Sequence, residues 1–259
     1  MGREWQLWMD DTARPGWANM SIDLTLLDRA EHRDEHWLRL YRWDPPCLSF
    51  GRHEPVLRRY DVDRIAALGV HTVRRPTGGR AVWHERELTY AVSGPCSGLG
   101  SLREAYTRIH ELLVQALRAL GIGASLAPRA PTPPLTAGAC FGFPVGGEVL
   151  VNGRKVVGSA QLRRGTALLQ HGSILLHDDQ HRVTALQLGT RPSGGPAGGN
   201  AQPMGALDTG DLANAVADSA RRRWGGTADA FEPDQIVEEA SCYHDRFRSD
   251  AWTWARLLH

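Results

Sequence analysis

Two glycine-punctuated basic segments constrain this chain more than any other feature: Arg74-Arg75-Pro76-Thr77-Gly78-Gly79-Arg80-Ala81-Val82-Trp83-His84 and Asn152-Gly153-Arg154-Lys155-Val156-Val157-Gly158-Ser159-Ala160-Gln161. Each alternates backbone-permissive glycines with cationic side chains. A site needs that pattern where main-chain N–H groups must come close to a carbonyl or a phosphate. Cys140 lies shortly before the second segment, and Gln170-His171-Gly172-Ser173 follows it.

With 259 residues, the chain can bury one large mixed core or two small ones. Residues 1–259 show no internal repeat and no convincing boundary, so a single domain is expected. A formal net charge of +1 gives no electrostatic case for nucleic acid or a membrane surface, and any basic site must be local. No apolar run nears the ~20 residues that span a bilayer. The start, Met1-Gly2-Arg3-Glu4-Trp5, lacks the apolar core of a secretion signal. Cys47, Cys96, Cys140 and Cys242 are widely spaced, without the Cys-x-x-Cys pairing of a zinc or redox site. The chain reads as cytoplasmic, with reduced thiols and no metal site.

Apolar spacing predicts a helix from Trp17 to Ala30, a short one from Asp61 to Leu68 stopped by Gly69, and a clear one from about Ser101 to Leu120 capped by Gly121. A polar helix is expected around Leu207 to Trp224, and a short terminal one near Asp250 to Leu258. Strands are expected at Leu38–Trp43, Cys47–Gly51, Val70–Arg75, Leu88–Val92 and Thr166–Leu176. Glu148–Val151 and Lys155–Gln161 read as a hairpin turned at Asn152-Gly153. Ala127–Gly138 and Thr190–Pro203 read as loops, the second a mobile one. Hairpins with interspersed helices indicate an α+β fold rather than regular parallel βαβ units.

Cys140 sits in a loop flanked by alanine and glycine residues, where little burial is expected. An inert buried thiol is the bland reading, and it suits Cys47 and Cys96 better. As a nucleophile Cys140 must be a thiolate, favoured by a nearby cation such as Lys155 or His84. Lys155 is the only lysine of the chain, which speaks against a merely solvated turn residue; an ammonium is a compact donor to a thioester or carboxylate oxygen. Gly78 and Gly79 suit a backbone passing close to a bound chain, with Arg75 and Arg80 at its polar end. His84 is either a proton shuttle or a hydrogen-bonded strand-end residue. Gly158, Ser159, Ala160 and Gln161 keep a strand surface small beside a ligand or a packed helix. His171 and Gly172 brace that wall.

Together these motifs resemble the lipoate-protein ligase / octanoyltransferase family. The likeness extends to Trp17-Ala18-Asn19-Met20-Ser21-Ile22-Asp23, to Leu40 through Arg52, and to Arg246-Phe247-Arg248-Ser249-Asp250-Ala251-Trp252-Thr253-Trp254. It implies the fold shared with biotin protein ligases and class II synthetases: a mixed, largely antiparallel sheet flanked by helices. Cys140-Phe141 stands where the single-domain, cysteine-dependent octanoyltransferase branch carries its nucleophile, and Arg80 replaces a glycine usual in the ligases. Gly142, Gly146 and Gly147 depart from the family's bulkier linker. The resemblance implies transfer of an octanoyl group from octanoyl-acyl carrier protein, through a Cys140 thioester assisted by Lys155, to a lysine of a lipoyl domain or glycine cleavage H protein. No cofactor is then required. The alternative is a lipoate-protein ligase dependent on ATP and Mg²⁺.

Overall fold

In the computed structural model, residues 4–128, 146–190, 204–225, 227–228 and 231–254 are described. The predicted nucleophile Cys140, its neighbour Phe141 and most of the 190–203 loop fall outside them.

A six-stranded mixed sheet forms the frame. Its strands lie in the order Val157–Arg164, Ala167–Leu175, Glu87–Pro95, His36–Tyr41, Trp5–Met9 and Thr227–Ala228. The first four pair antiparallel, and Trp5–Met9 runs parallel to both of its neighbours. The strands Glu87–Pro95 and Ala167–Leu175 are buried along their whole length, which only a sheet covered on both faces allows. On one face Leu7, Leu38, Leu40, Leu88, Tyr90 and Val92 meet the helices Leu102–Ala119 and Thr209–Trp224. On the other, Tyr41, Ala91, Ala167 and Leu169 meet Met20, Leu24 and Leu27 of the helix Gly16–Arg33.

A three-stranded sheet, with His71–Arg74 and Val82–His84 on either side of Cys47–Phe50, stands beside this second face. Its own core is Leu48, Phe50, Val56, Tyr60, Ile65 and Trp83. Gly16 lets the first helix approach it: a Cβ there would stand 2.6 Å from Cys47 Sγ. A third small sheet joins Ala124–Leu126, Val149–Val151 and Arg154–Lys155.

Local signals explain the element ends. Ser101 and Glu104 form a reciprocal capping box at the start of the long helix, and Gly121, at φ +76°, follows its end. Asp208 caps the helix Thr209–Trp224 by accepting from the N–H groups of Gly210 and Asp211. Asn152 and Gly153 both have positive φ, as a two-residue hairpin turn requires. The expected hairpin is nevertheless only half right. Arg154–Lys155 folds back on Val149–Val151, but Val157–Arg164 leaves to become the edge strand of the main sheet. Leu102 is also corrected: it is exposed, while His110, omitted from the apolar stripe, is fully buried in it. Among the described residues no helix is long and apolar enough to cross a membrane.

Candidate functional site

A narrow cleft opens where the small sheet faces the main one. Gly158, Ser159, Ala160, His171, Gly172 and Ser173 form the main-sheet wall. Arg75, Gly79, Val82 and His84 form the opposite wall, with Met20, Tyr41, Trp43 and Thr89 between them. The space measures about 390 Å³ with its mouth included, and only about 30 Å³ of it is wide enough for the centre of a water molecule. The walls thus stand close together. Strand register explains the small residues: Gly158 pairs with Ser173 and Ala160 with His171, so these side chains share the cleft face.

Each of the two predicted histidines is held by a buried carboxylate. His84 Nδ1 donates to Glu87 Oε1 at 2.6 Å, and its Nε2 accepts from the Ser49 hydroxyl at 2.6 Å. Burial holds the His84 pKa below the ordinary histidine value despite the Glu87 charge, which favours this neutral form. The ring stacks on Trp43, centroids 3.9 Å apart. Ser173 and Thr89 also donate to Glu87 Oε1, at 2.8 and 2.7 Å. His84 is thus a hydrogen-bonded strand-end residue set between a hydroxyl and a carboxylate, a placement that a proton shuttle would share. His171 Nδ1 donates to Asp23 Oδ2 at 2.8 Å, and its Nε2 lies 2.6 Å from Thr77 Oγ1. Asp23 in turn accepts from Tyr41 and from the fully buried Arg39, which also binds Asp10.

Arg75 borders the cleft, but its guanidinium clasps the glycine loop. It donates to the Ser49 carbonyl and hydroxyl, and to the carbonyls of Gly78 and Arg80 at 3.2 and 2.7 Å. The half-buried Arg80 side chain and Gly78 are not among the cleft-lining residues, so only Gly79 of the loop's glycines meets the cavity. Gly79 has φ +92°, a conformation that favours glycine. Neighbouring Arg74 is fully buried, with carbonyls of Gly51, Arg52, Glu54, Trp252 and Thr253 around its guanidinium.

Lys155 also lies outside the cleft lining. Its ammonium binds Glu148 at 2.5 Å, with both side chains buried. Gln161 turns away to Leu102 O and Gln170. The Ser159 hydroxyl points to the opposite face of the sheet, where it meets Tyr90 and His110. Burial pushes the His110 pKa down to about 4, with Lys155 adding to the effect. Cys47 is the inert thiol expected of it: wholly buried, with its pKa pushed well up by burial and then by Glu87. Asp28, Glu31 and His32 come within metal-ligand distance of one another, but both carboxylates already bind Arg164.

Sequence reasoning missed Asp23, Ser49, Glu87 and His110. Asp23 carried a readable signal, since it shares the apolar stripe of Met20, Leu24 and Leu27.

This architecture is matched by known structures. A crystal structure of lipoate-protein ligase A bound with ATP superposes with a TM-score of 0.80 over 98% of this chain and 100% of that one, at 21% identity. A bi-partite lipoate protein ligase, studied with its E2 lipoyl domain, from Thermoplasma acidophilum gives 0.78 over 99% and 98%, at 20% identity. In sequence, the octanoyltransferase LipM of Carboxydothermus hydrogenoformans is 42% identical over 179 residues, 68% of this chain. The match takes in 66% of that relative's own length, just short of two thirds. Residues 15–192, which hold the first helix, the small sheet and both walls of the cleft, match the lipoyl protein ligase A/B catalytic domain, and the chain belongs to that family.

Proposed function

We propose that this chain is a cytoplasmic acyltransferase, an octanoyl-[acyl-carrier-protein]:protein N-octanoyltransferase. The observation that carries the reading is the chemistry of the cleft. Its inward polar groups are engaged by the protein itself: His84, Thr89 and Ser173 by Glu87, His171 by Asp23 and Thr77, and Arg75 by loop carbonyls. A slit whose polar groups are already satisfied suits an extended alkyl chain, which offers no hydrogen bonds in return. The 42% identity with a relative named octanoyltransferase supports the same assignment.

In this reading the Cys140 thiolate attacks the octanoyl thioester of acyl carrier protein. The C–S bond to the carrier breaks as the new thioester forms, and the carrier thiol takes up the proton. Lys155 and neighbouring backbone N–H groups stabilise the tetrahedral oxyanion. The amine of a target lysine, on a lipoyl domain or glycine cleavage H protein, then attacks the acyl-enzyme. The amide forms, the lysine proton is lost and the Cys140 thiol is regenerated. Thioester cleavage supplies the driving force, so neither ATP nor Mg²⁺ takes part.

Intact-mass spectrometry after incubation with octanoyl-acyl carrier protein, without ATP, tests this. An octanoyl adduct on the native chain that is absent from Cys140→Ala is the expected result. Lipoylation of an apo lipoyl domain from free lipoate, ATP and Mg²⁺, with no adduct from the carrier, would overturn it in favour of a lipoate-protein ligase.

A further inference from the structure

Behind the main-sheet wall runs a continuous chain of neutral hydrogen bonds. Gln170 donates from Nε2 to the Tyr90 hydroxyl at 2.9 Å, and Tyr90 lies 2.6 Å from Ser159 Oγ. Ser159 Oγ lies 2.8 Å from His110 Nε2, and His110 Nδ1 lies 2.7 Å from the carbonyl of Gly147. A carbonyl can only accept, so Nδ1 carries the hydrogen. Nε2 of the neutral ring must then accept from Ser159, and Ser159 accepts from Tyr90. One direction of donation therefore runs from the cleft strand through the helix Leu102–Ala119 to Gly147.

Gly147 is the second described residue after 129–145. The Gly147 N–H donates to the Ala127 carbonyl at 2.9 Å, and the Ala127 N–H donates to the Glu148 carbonyl at 2.7 Å. Glu148 is the partner of Lys155. The two ends of the Cys140-bearing segment are thus joined at a single point, and His110 ties that point to Ser159. Gly147 is suited to the place: its φ of +87° favours glycine, and the ring of Tyr106 lies 3.7 Å from where a Cβ would be.

From this geometry we infer that His110 is a positioning residue for the acyl-transfer step, fixing the base of the Cys140 segment against the cleft wall through its two ring nitrogens. The inference rests on the proposed role of Cys140. A neutral, buried ring spanning two elements this way is more than core filling, because an apolar residue of the same size would leave both the Gly147 carbonyl and the Ser159 hydroxyl short of a partner.

The test compares His110→Ala, His110→Asn and Ser159→Ala with the native chain, reading single-turnover acylation of Cys140 by mass spectrometry and the thermal midpoint in parallel. An asparagine amide nitrogen stands where Nδ1 stands and can still donate to Gly147 O. His110→Ala is expected to slow acylation about 10- to 100-fold, the scale of a small misplacement of a reacting group, with KM for the carrier little changed. His110→Asn should recover most of that loss, and Ser159→Ala should fall between. Native-rate acylation in folded His110→Ala would overturn the inference, as would a His110→Asn no faster than His110→Ala at equal stability. If His110→Ala does not fold, the ordering of the other two variants decides. Absence of any adduct in the native chain would instead refute the proposed function.

Discussion

Gly51 and Gly79 touch backbone to backbone: a Cβ on Gly51 would stand 1.8 Å from the Gly79 carbonyl oxygen. The turn after Cys47–Phe50 and the glycine loop that lines the cleft are therefore packed as one unit. Neither can move by the width of a methyl group alone. Gly51→Ala should push the loop away and cost about 1–3 kcal/mol, the usual range for overpacking. Urea unfolding measures it, and a midpoint equal to the native one would show that the contact is slack.

Arg39 is wholly buried and binds both Asp10, at 2.7 Å, and Asp23, at 3.2 Å. Removing the cation takes the shared partner from two buried carboxylates, leaving Asp10 to Arg14 and Asp23 to Tyr41 and His171. Arg39→Met should destabilise the fold by about 3–5 kcal/mol. Chemical denaturation checks it; a loss under about 1 kcal/mol would mean that water enters and solvates the pair.

Stability should fall on acidification through the histidine range. His110 has a folded-state pKa of about 4 against roughly 6.5 in the unfolded chain. Between these values the unfolded chain binds more protons, so stability is fully present above pH ~6.5 and falls as the pH drops towards 4. His84, lowered by burial, contributes in the same sense. The His110 share amounts to about 3 kcal/mol by pH 4. In His110→Asn the stability curve should be correspondingly flatter, and parallel curves for the two proteins would refute this linkage.

Lys155 should matter to rate more than to affinity. If its ammonium serves the oxyanion, Lys155→Ala slows acylation of Cys140 by ~10²–10³. Rapid-quench mass spectrometry on a single turnover measures it. An unchanged rate would assign Lys155 to structure alone, as the partner of Glu148.

What could be read from the sequence was what local chemistry decides. Asn152-Gly153 announced its turn, and the 3.6-residue stripe announced the long helix. The glycine and histidine motifs pointed to both walls of the cleft. Pairings set by distant partners were not legible. Trp5–Met9 is the strand next to the sheet edge, with no alternation to mark it, because both its faces are covered and its neighbours lie 31 and 222 residues onward in register. Glu87 looked like an ordinary charged residue at a strand start; only the fold brings Ser173 and His84 onto its carboxylate. Val157–Arg164 was paired wrongly for the same reason, since Ala167–Leu175 competes for it more successfully than the short strand across the turn.

The small sheet has a core of its own around Leu48, Phe50 and Trp83, while its Cys47 and Val73 pack into the cluster beneath the main sheet. The two sides of the cleft are thus anchored partly in different cores and cross-tied by His84 with Glu87 and by Thr77 with His171. Exchanging residues beneath Leu48, Phe50 and Trp83 bears first on the Val82 side and reaches Gly158 and Ala160 through those ties. The width of the slit and the geometry of the main-sheet strands therefore draw on overlapping sets of residues, and a change in one is felt in the other through Glu87 and His171.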